Sequence, residues 1–331
     1  MSAMGAMGTS TMGTSTLGAG EEAAAPRPQA GPVRFLVTGM QRSGTTLVYQ
    51  ILAGHPDVAA NPREAAPALF HGFNAASFNT PRDLFAGRKD ADPIGPGETL
   101  RRLFDLAVEE GTRIGDHAAA GLKVATGSPA EAVAMVEAIL AHAPDLRIIH
   151  VRREDPVAVA ASFVDFLQNP ERRQIFEGSA RPSPRLSIRR DVLVRHVHDW
   201  HFINAAFDRL AALPHYRRID YGRDIASGAL LGGAALFDAI GVPKMQPDWV
   251  SLRKSLPAKE ETVVNLAECE RVAAAVQAGL AEGMALPELF RRHGPSLASL
   301  VMRLAGEALR HPATSLRRSY WIPLKWKVAG Q

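Results

Sequence analysis

The segment Gly39-Met40-Gln41-Arg42-Ser43-Gly44-Thr45-Thr46 sets two glycines five positions apart around an arginine, with two hydroxyl residues behind them. Such a turn lets the backbone wrap an anion. Successive N–H groups and the start of a following helix then point at it, and Arg42 supplies positive charge. A nucleoside-triphosphate loop would carry lysine where Thr45 stands. A second cluster, His150-Val151-Arg152-Arg153, ends an apolar run where Mg²⁺-dependent nucleotide-binding proteins place an Asp. Two arginines there suit another anionic group rather than a metal, and the hydroxyl of Ser162 can meet the same group. Together the clusters describe a nucleotide with two separated phosphates, bound without obligatory metal. The competing readings are a glycine turn whose arginine faces solvent, and an exposed arginine pair beside a helix-buried serine.

The elements that must position these groups follow from periodicity and caps. Residues 33–38 read as a buried strand. A helix follows over about 45–54, with Leu47, Val48, Ile51 and Leu52 at helical spacing, and His55-Pro56 stops it. Further strands are expected at 57–60, 121–125, 146–151 and 216–221. Helices are expected at 129–142, from Asp155-Pro156 onward and over 187–212, and Asn265 with Glu268 predicts a capping-box start to another. Residues 76–100, rich in Asn, Pro, Gly and Asp, read as a long loop or lid. Strands alternating with helices imply a doubly wound, mainly parallel α/β sheet flanked by helices, with a helical C-terminal part.

Composition narrows the class. With 46% hydrophobic and 22% charged residues, fibrous, coiled-coil and wholly disordered readings fall away. The balance of 38 basic against 34 acidic residues gives a net charge of +4, without the dense basic blocks of a nucleic-acid binder. A lone cysteine, Cys269, excludes an internal disulfide and a cysteine-based zinc cluster, and fits a reducing, cytoplasmic compartment. Residues 1–31 are a Gly/Ser/Thr/Met/Ala-rich tail without signal-peptide character, expected to be disordered. Residues 32–331 form one expected domain, a nucleotide-binding core over about 32–257 and a helical extension over about 258–331. No apolar run reaches membrane-spanning length. The C-terminal stretch SLRRSYWIPLKWK either touches an anionic membrane surface or packs across the domain or a homodimer partner.

VRFLVTGMQRSGTTLVYQILAGHPDV resembles the 5′-phosphosulfate-binding segment of P-loop-like sulfotransferases that use 3′-phosphoadenosine 5′-phosphosulfate (PAPS), of the bacterial type. RIIHVRREDPVAVAASF resembles their 3′-phosphate-binding segment, and YRRIDYGRDIASG leading to ALFDAIGVP is similar to their late strand, loop and helix. The resemblance spans about residues 33–243. It implies that Arg42, Ser43, Gly44, Thr45 and Thr46 hold the 5′-phosphosulfate, and that Arg153 and Ser162 hold the 3′-phosphate. The family places Pro two positions after its arginine, whereas Pro156 lies three after Arg153, so either the turn is one residue longer or Arg152 shares the task. Arg253 and Lys254, in SLRKS, match a late basic loop that closes over the 3′-phosphate, or form an exposed basic turn.

The reaction so implied is in-line transfer of a sulfuryl group to a hydroxyl of a small-molecule, carbohydrate or lipid acceptor, which needs a base to take the hydroxyl proton. One branch of the family uses a His two positions after a strand lysine, and here that position is Ala125. Another places a Glu shortly after the His-Pro, which points to Glu64 as general base, with His117 as fallback. The rival role for Glu64 is a loop carboxylate paired with Arg63 or Arg82. Lys123 interrupts an apolar strand. Its ammonium either stabilises the bridging oxygen as the sulfuryl group departs, or snorkels from an edge strand. His196, His198 and His201 read as polar helix surface. Two other functions compete: a P-loop kinase or phosphotransferase, which the missing lysine and Mg²⁺-holding Asp oppose, and a non-catalytic nucleotide-binding protein, which would not need Glu64.

Overall fold

From Phe35 onward every residue of β1 (Val33–Met40) is buried, as a strand covered on both faces requires. The computed structural model describes residues 32–60, 118–168, 185–226, 234–245 and 259–302, all within the unit Pro32–Gln331. Around β1 stand β2 (Val58–Ala60), β3 (Ala119–Thr126), β4 (Arg147–Arg152) and β5 (Tyr216–Asp220). They form a parallel five-stranded sheet in the order β2-β3-β1-β4-β5. Thr38 lies opposite Val124 on one side and His150 on the other. The chain leaves β1 toward β2 and leaves β4 toward β5, in opposite directions. The carboxyl ends of β1 and β4 therefore flank the point where strand order reverses, the usual location of a ligand crevice in such sheets.

Parity along the strands decides what each face meets. Phe35, Val37, Ile149, Val151 and Ile219 pack against α1 (Thr45–Ala53) and α5 (Ala234–Ile240). Leu36, Leu122, Val124 and Ile148 pack against α2 (Pro129–His142) and α4 (Arg190–Asp208). A third cluster joins α3 (Pro156–Gln168) and α4 to α7 (Leu266–Ala281) and α8 (Leu286–His293), so the described residues of the C-terminal part are mainly helical. A short helix, α6 (Lys259–Thr262), leads into it. The whole is the expected doubly wound α/β architecture.

Some local expectations need correction. The helix expected over 187–212 is α4 followed by a 3₁₀ turn over Arg209–Ala212. Asn265 stands at the N-cap of α7 but makes no capping bond. Its amide accepts from the Ile188 N–H and donates to the Ile188 carbonyl, tying α7 to the chain ahead of α4. Glu268 pairs with Arg190 instead. His196 is not surface: its ring packs 4.4 Å from that of Phe163, Nδ1 meets the Val192 carbonyl, and burial lowers its pKa. The expected loop at 76–100, the residues Glu64, His117, Arg253 and Lys254, and the basic aromatic stretch SLRRSYWIPLKWK lie outside the described residues. Among the described residues no helix is long and apolar enough to cross a membrane.

Candidate active site

The anion-wrapping turn begins where β1 ends. Gly39 is needed there because a Cβ would lie 2.3 Å from the Val151 carbonyl oxygen of β4, so the two strand ends touch backbone to backbone. The Gln41 N–H donates to Thr126, and the Ser43 hydroxyl donates 2.7 Å to the Met40 carbonyl, closing the turn. Arg42 takes a left-handed conformation, φ 70°, costing on the order of 1–3 kcal/mol for a non-glycine residue. Gly44, φ 101°, forms the N-cap of α1, whose first turn carries no acidic residue. The positive end of that helix therefore meets the turn without a carboxylate beside it.

Three cations converge on this helix end. Lys123 lies on the α1 face of β3 and is only 7% exposed. Its Nζ donates 2.9 Å to the Thr46 hydroxyl. At that burial Lys123 does not snorkel to solvent. The Arg42 Nε–H donates 3.1 Å to Ser162 Oγ on α3, and its guanidinium carbon stands 5.1 Å from the centre of the Phe166 ring. Burial pulls the Arg42 pKa below its usual value. Asp165 opposes that shift, and Arg153 adds to it by repulsion. Arg153 is also lowered by burial, and its guanidinium lies 4.7 Å above the ring of Tyr221. That ring fills the space beside Gly44, where an added Cβ would lie 2.8 Å away. Two desolvated arginines that repel each other beside a helix N-terminus favour negative charge between them.

The pair Arg152 and Arg153 divides between the faces of the sheet. Arg152 shares the face of His150, lies 5.4 Å over Trp200 and stands 3.7 Å from Asp208. Arg153, one residue on, emerges on the α1 side. Trp200 Nε1 donates 2.8 Å to the Arg153 carbonyl, and Glu154 accepts from the Gly222 N–H at 3.1 Å. Asp155 then caps α3, accepting from Val157 and Ala158 N–H, and its other oxygen pairs with Lys259 at 2.8 Å. Behind Arg152, His150 is buried, with Nδ1 2.8 Å from the Tyr216 hydroxyl. Burial first, then Arg152, lowers its pKa to about 3.

The structure thus brings together Arg42, Ser43, Gly44, Thr45, Thr46, Lys123, Arg153 and Ser162, and turns Arg152 away. Tyr221, Asp165, Phe166 and Trp200 were missed from sequence. Asp165 and Phe166 were legible only as positions three and four after Ser162, on the same helix face. Tyr221 sits in a π-helical turn, Tyr221–Ala226, that no periodicity announces. Among the described residues no group of three His, Cys, Asp or Glu side chains is placed to hold a metal ion.

Comparison with curated protein sequences gives no match. Solved structures that align with this chain include a sulfotransferase from Alicyclobacillus acidocaldarius, at 16% identity and a TM-score of 0.43, covering 76% of this chain and 96% of that one. The sulfotransferase domain from the curacin biosynthetic pathway aligns at 17% identity and a TM-score of 0.39, over 69% of this chain and 80% of that one. A sulfotransferase from Mycobacterium avium aligns at 13% identity and 0.38, over 84% and 76%. The sulfotransferase family model matches residues 34–223. That span runs from the first strand through the arginine turn, Lys123, Arg153 and Ser162 to Tyr221, more than half of the chain, and it makes this protein a member of the sulfotransferase family.

Proposed function

We propose that the protein moves the sulfuryl group of PAPS to a hydroxyl of a small-molecule, carbohydrate or lipid acceptor. The observation that carries this reading is the 3.1 Å hydrogen bond from Arg42 to Ser162, which joins the turn after β1 to the helix after β4. A donor bearing phosphates at the 3′ and 5′ positions of its ribose needs two anion-binding groups side by side, and this contact supports that reading. Arg42, Ser43, Gly44, Thr45 and Thr46, with the α1 N-terminus, would hold the 5′-phosphosulfate. Arg153 and Ser162 would hold the 3′-phosphate, with Arg253 and Lys254 covering it. When bound, PAPS supplies an activated sulfuryl group and a phosphate leaving group. Lys123, which donates to the Thr46 hydroxyl, would neutralise charge that develops on the departing oxygen. Glu64 is the proposed base for the acceptor hydroxyl, with His117 behind it, and no metal is required.

Melting of the purified chain tests the donor. The desulfated product, 3′-phosphoadenosine 5′-phosphate (PAP), should stabilise it without metal and better than ATP with Mg²⁺, by about 2.7 kcal/mol at one hundred times Kd. An equal response to the two nucleotides would favour a phosphotransferase and overturn the reading. Glu64→Gln should keep PAP affinity and lower turnover of labelled PAPS about 10²-fold or more. Unchanged turnover removes Glu64 from the mechanism.

A further inference from the structure

One charged group at the site has no part in the proposed transfer. Asp165 is 1% exposed and carries the sign of the phosphates that the neighbouring arginines would receive. A buried carboxylate needs cationic company. α3 presents Ser162, Asp165 and Phe166 at positions i, i+3 and i+4, and such residues share one face. The first of the three accepts the Arg42 Nε–H at 3.1 Å, and the last stands 5.1 Å from its guanidinium carbon. The charge of Asp165 is the largest influence opposing the desolvation of Arg42. Arg42 needs such restraint. Its backbone is left-handed, and Arg153 repels it.

We propose that Asp165 is a positioning residue: with Ser162 and Phe166 it forms a socket on α3 that holds the Arg42 guanidinium in place before the donor arrives. Its role in catalysis rests on the PAPS reading, whereas the socket itself does not. The socket has a cost in affinity, because a carboxylate beside an anion receptor repels the anion. Asp165 is therefore expected to weaken donor binding while it fixes the geometry that receives it.

Three measurements on the full chain test this. In the unliganded protein, Asp165→Asn and Arg42→Met should each lower the melting temperature, and the double variant should lose clearly less than the two losses added, because each single change strands its partner. Additive losses overturn the socket whatever the donor is. In calorimetry at low salt, Asp165→Asn should bind PAP about threefold or more tightly, with the gain shrinking at high salt, and Asp165→Glu should restore wild-type affinity. Unchanged or weaker PAP affinity in Asp165→Asn overturns the repulsion. The positioning role is read in turnover of labelled PAPS, which should fall about tenfold or more in Asp165→Asn as Arg42 loses its preset place, and return in Asp165→Glu; unchanged turnover overturns it. Failure of the wild-type chain to bind PAP sinks the donor assignment instead, and the melting cycle still decides the socket.

Discussion

At Lys123 the sheet brings an ammonium group within 2.9 Å of a hydroxyl on the first turn of α1, close to where negative charge would grow during transfer. Lys123→Met should lower turnover of labelled PAPS by about 10²–10³-fold and change PAP affinity by about threefold or less, the split expected of a group that acts mainly in the transition state. Equal losses in turnover and affinity would make it a binding residue only. Gly44 answers to sterics rather than charge. Gly44→Ala puts a methyl group against the Tyr221 ring at 2.8 Å on a left-handed backbone, and should cost about 1–3 kcal/mol in chemical denaturation. At this scale the sequence told much, because an arginine between two glycines and a serine nine residues after Arg153 are types with few other uses in those places. It left Arg152 and Arg153 unresolved. Their separation depends on which face of β4 each occupies, and that is fixed only when the packing of α1 and α4 against the sheet is known.

β4, the turn after it and α3 form one run, in which the turn bears Arg153 and the strand bears His150. Burial sets the His150 pKa at about 3 against 6.5 for the free side chain. Above pH 6.5 the ring is neutral in folded and unfolded chains alike and adds no pH dependence. As pH falls from 6.5 toward 3 the unfolded chain takes up a proton that the folded one refuses, so stability declines by up to about 1.4 kcal/mol per unit. Urea midpoints measured from pH 7 to 4 should show this slope, and His150→Gln should flatten it. In the turn, Asp155→Ala removes two N-cap bonds and the Lys259 ion pair. It should cost about 1 kcal/mol or more and weaken PAP binding by loosening the turn that carries Arg153. The same cap was readable in advance, since Asp155-Pro156 uses unambiguous helix-start chemistry, and α2 was expected over 129–142. α4 was read too long because Leu210 keeps the apolar spacing through the 3₁₀ turn after Asp208. Asn265 misled because its side chain found a partner in a distant loop, which local pattern cannot reveal.

Among the described residues each face of the sheet carries its own buried cluster, and Lys123 and Gly44 of the candidate site lie on the α1 side. Phe207 is fully buried on the face away from α1. Phe207→Ala should cost about 3–5 kcal/mol in denaturation, yet leave PAP affinity of the folded chain within about twofold by calorimetry. Loss of affinity in a folded variant would show that the two faces are coupled. The alternation of strands and helices announced this layered plan, but the order β2-β3-β1-β4-β5 arises from pairing between segments far apart in sequence. The missing side chain of Gly39 then acquires a meaning beyond its own turn. Because the chain there rests directly on the Val151 carbonyl, where the paired strands β1 and β4 give out, that close approach holds the first and second arginine-bearing segments together like the jaws of a caliper. A side chain at position 39 would reset that gauge for every ligand measured between the jaws.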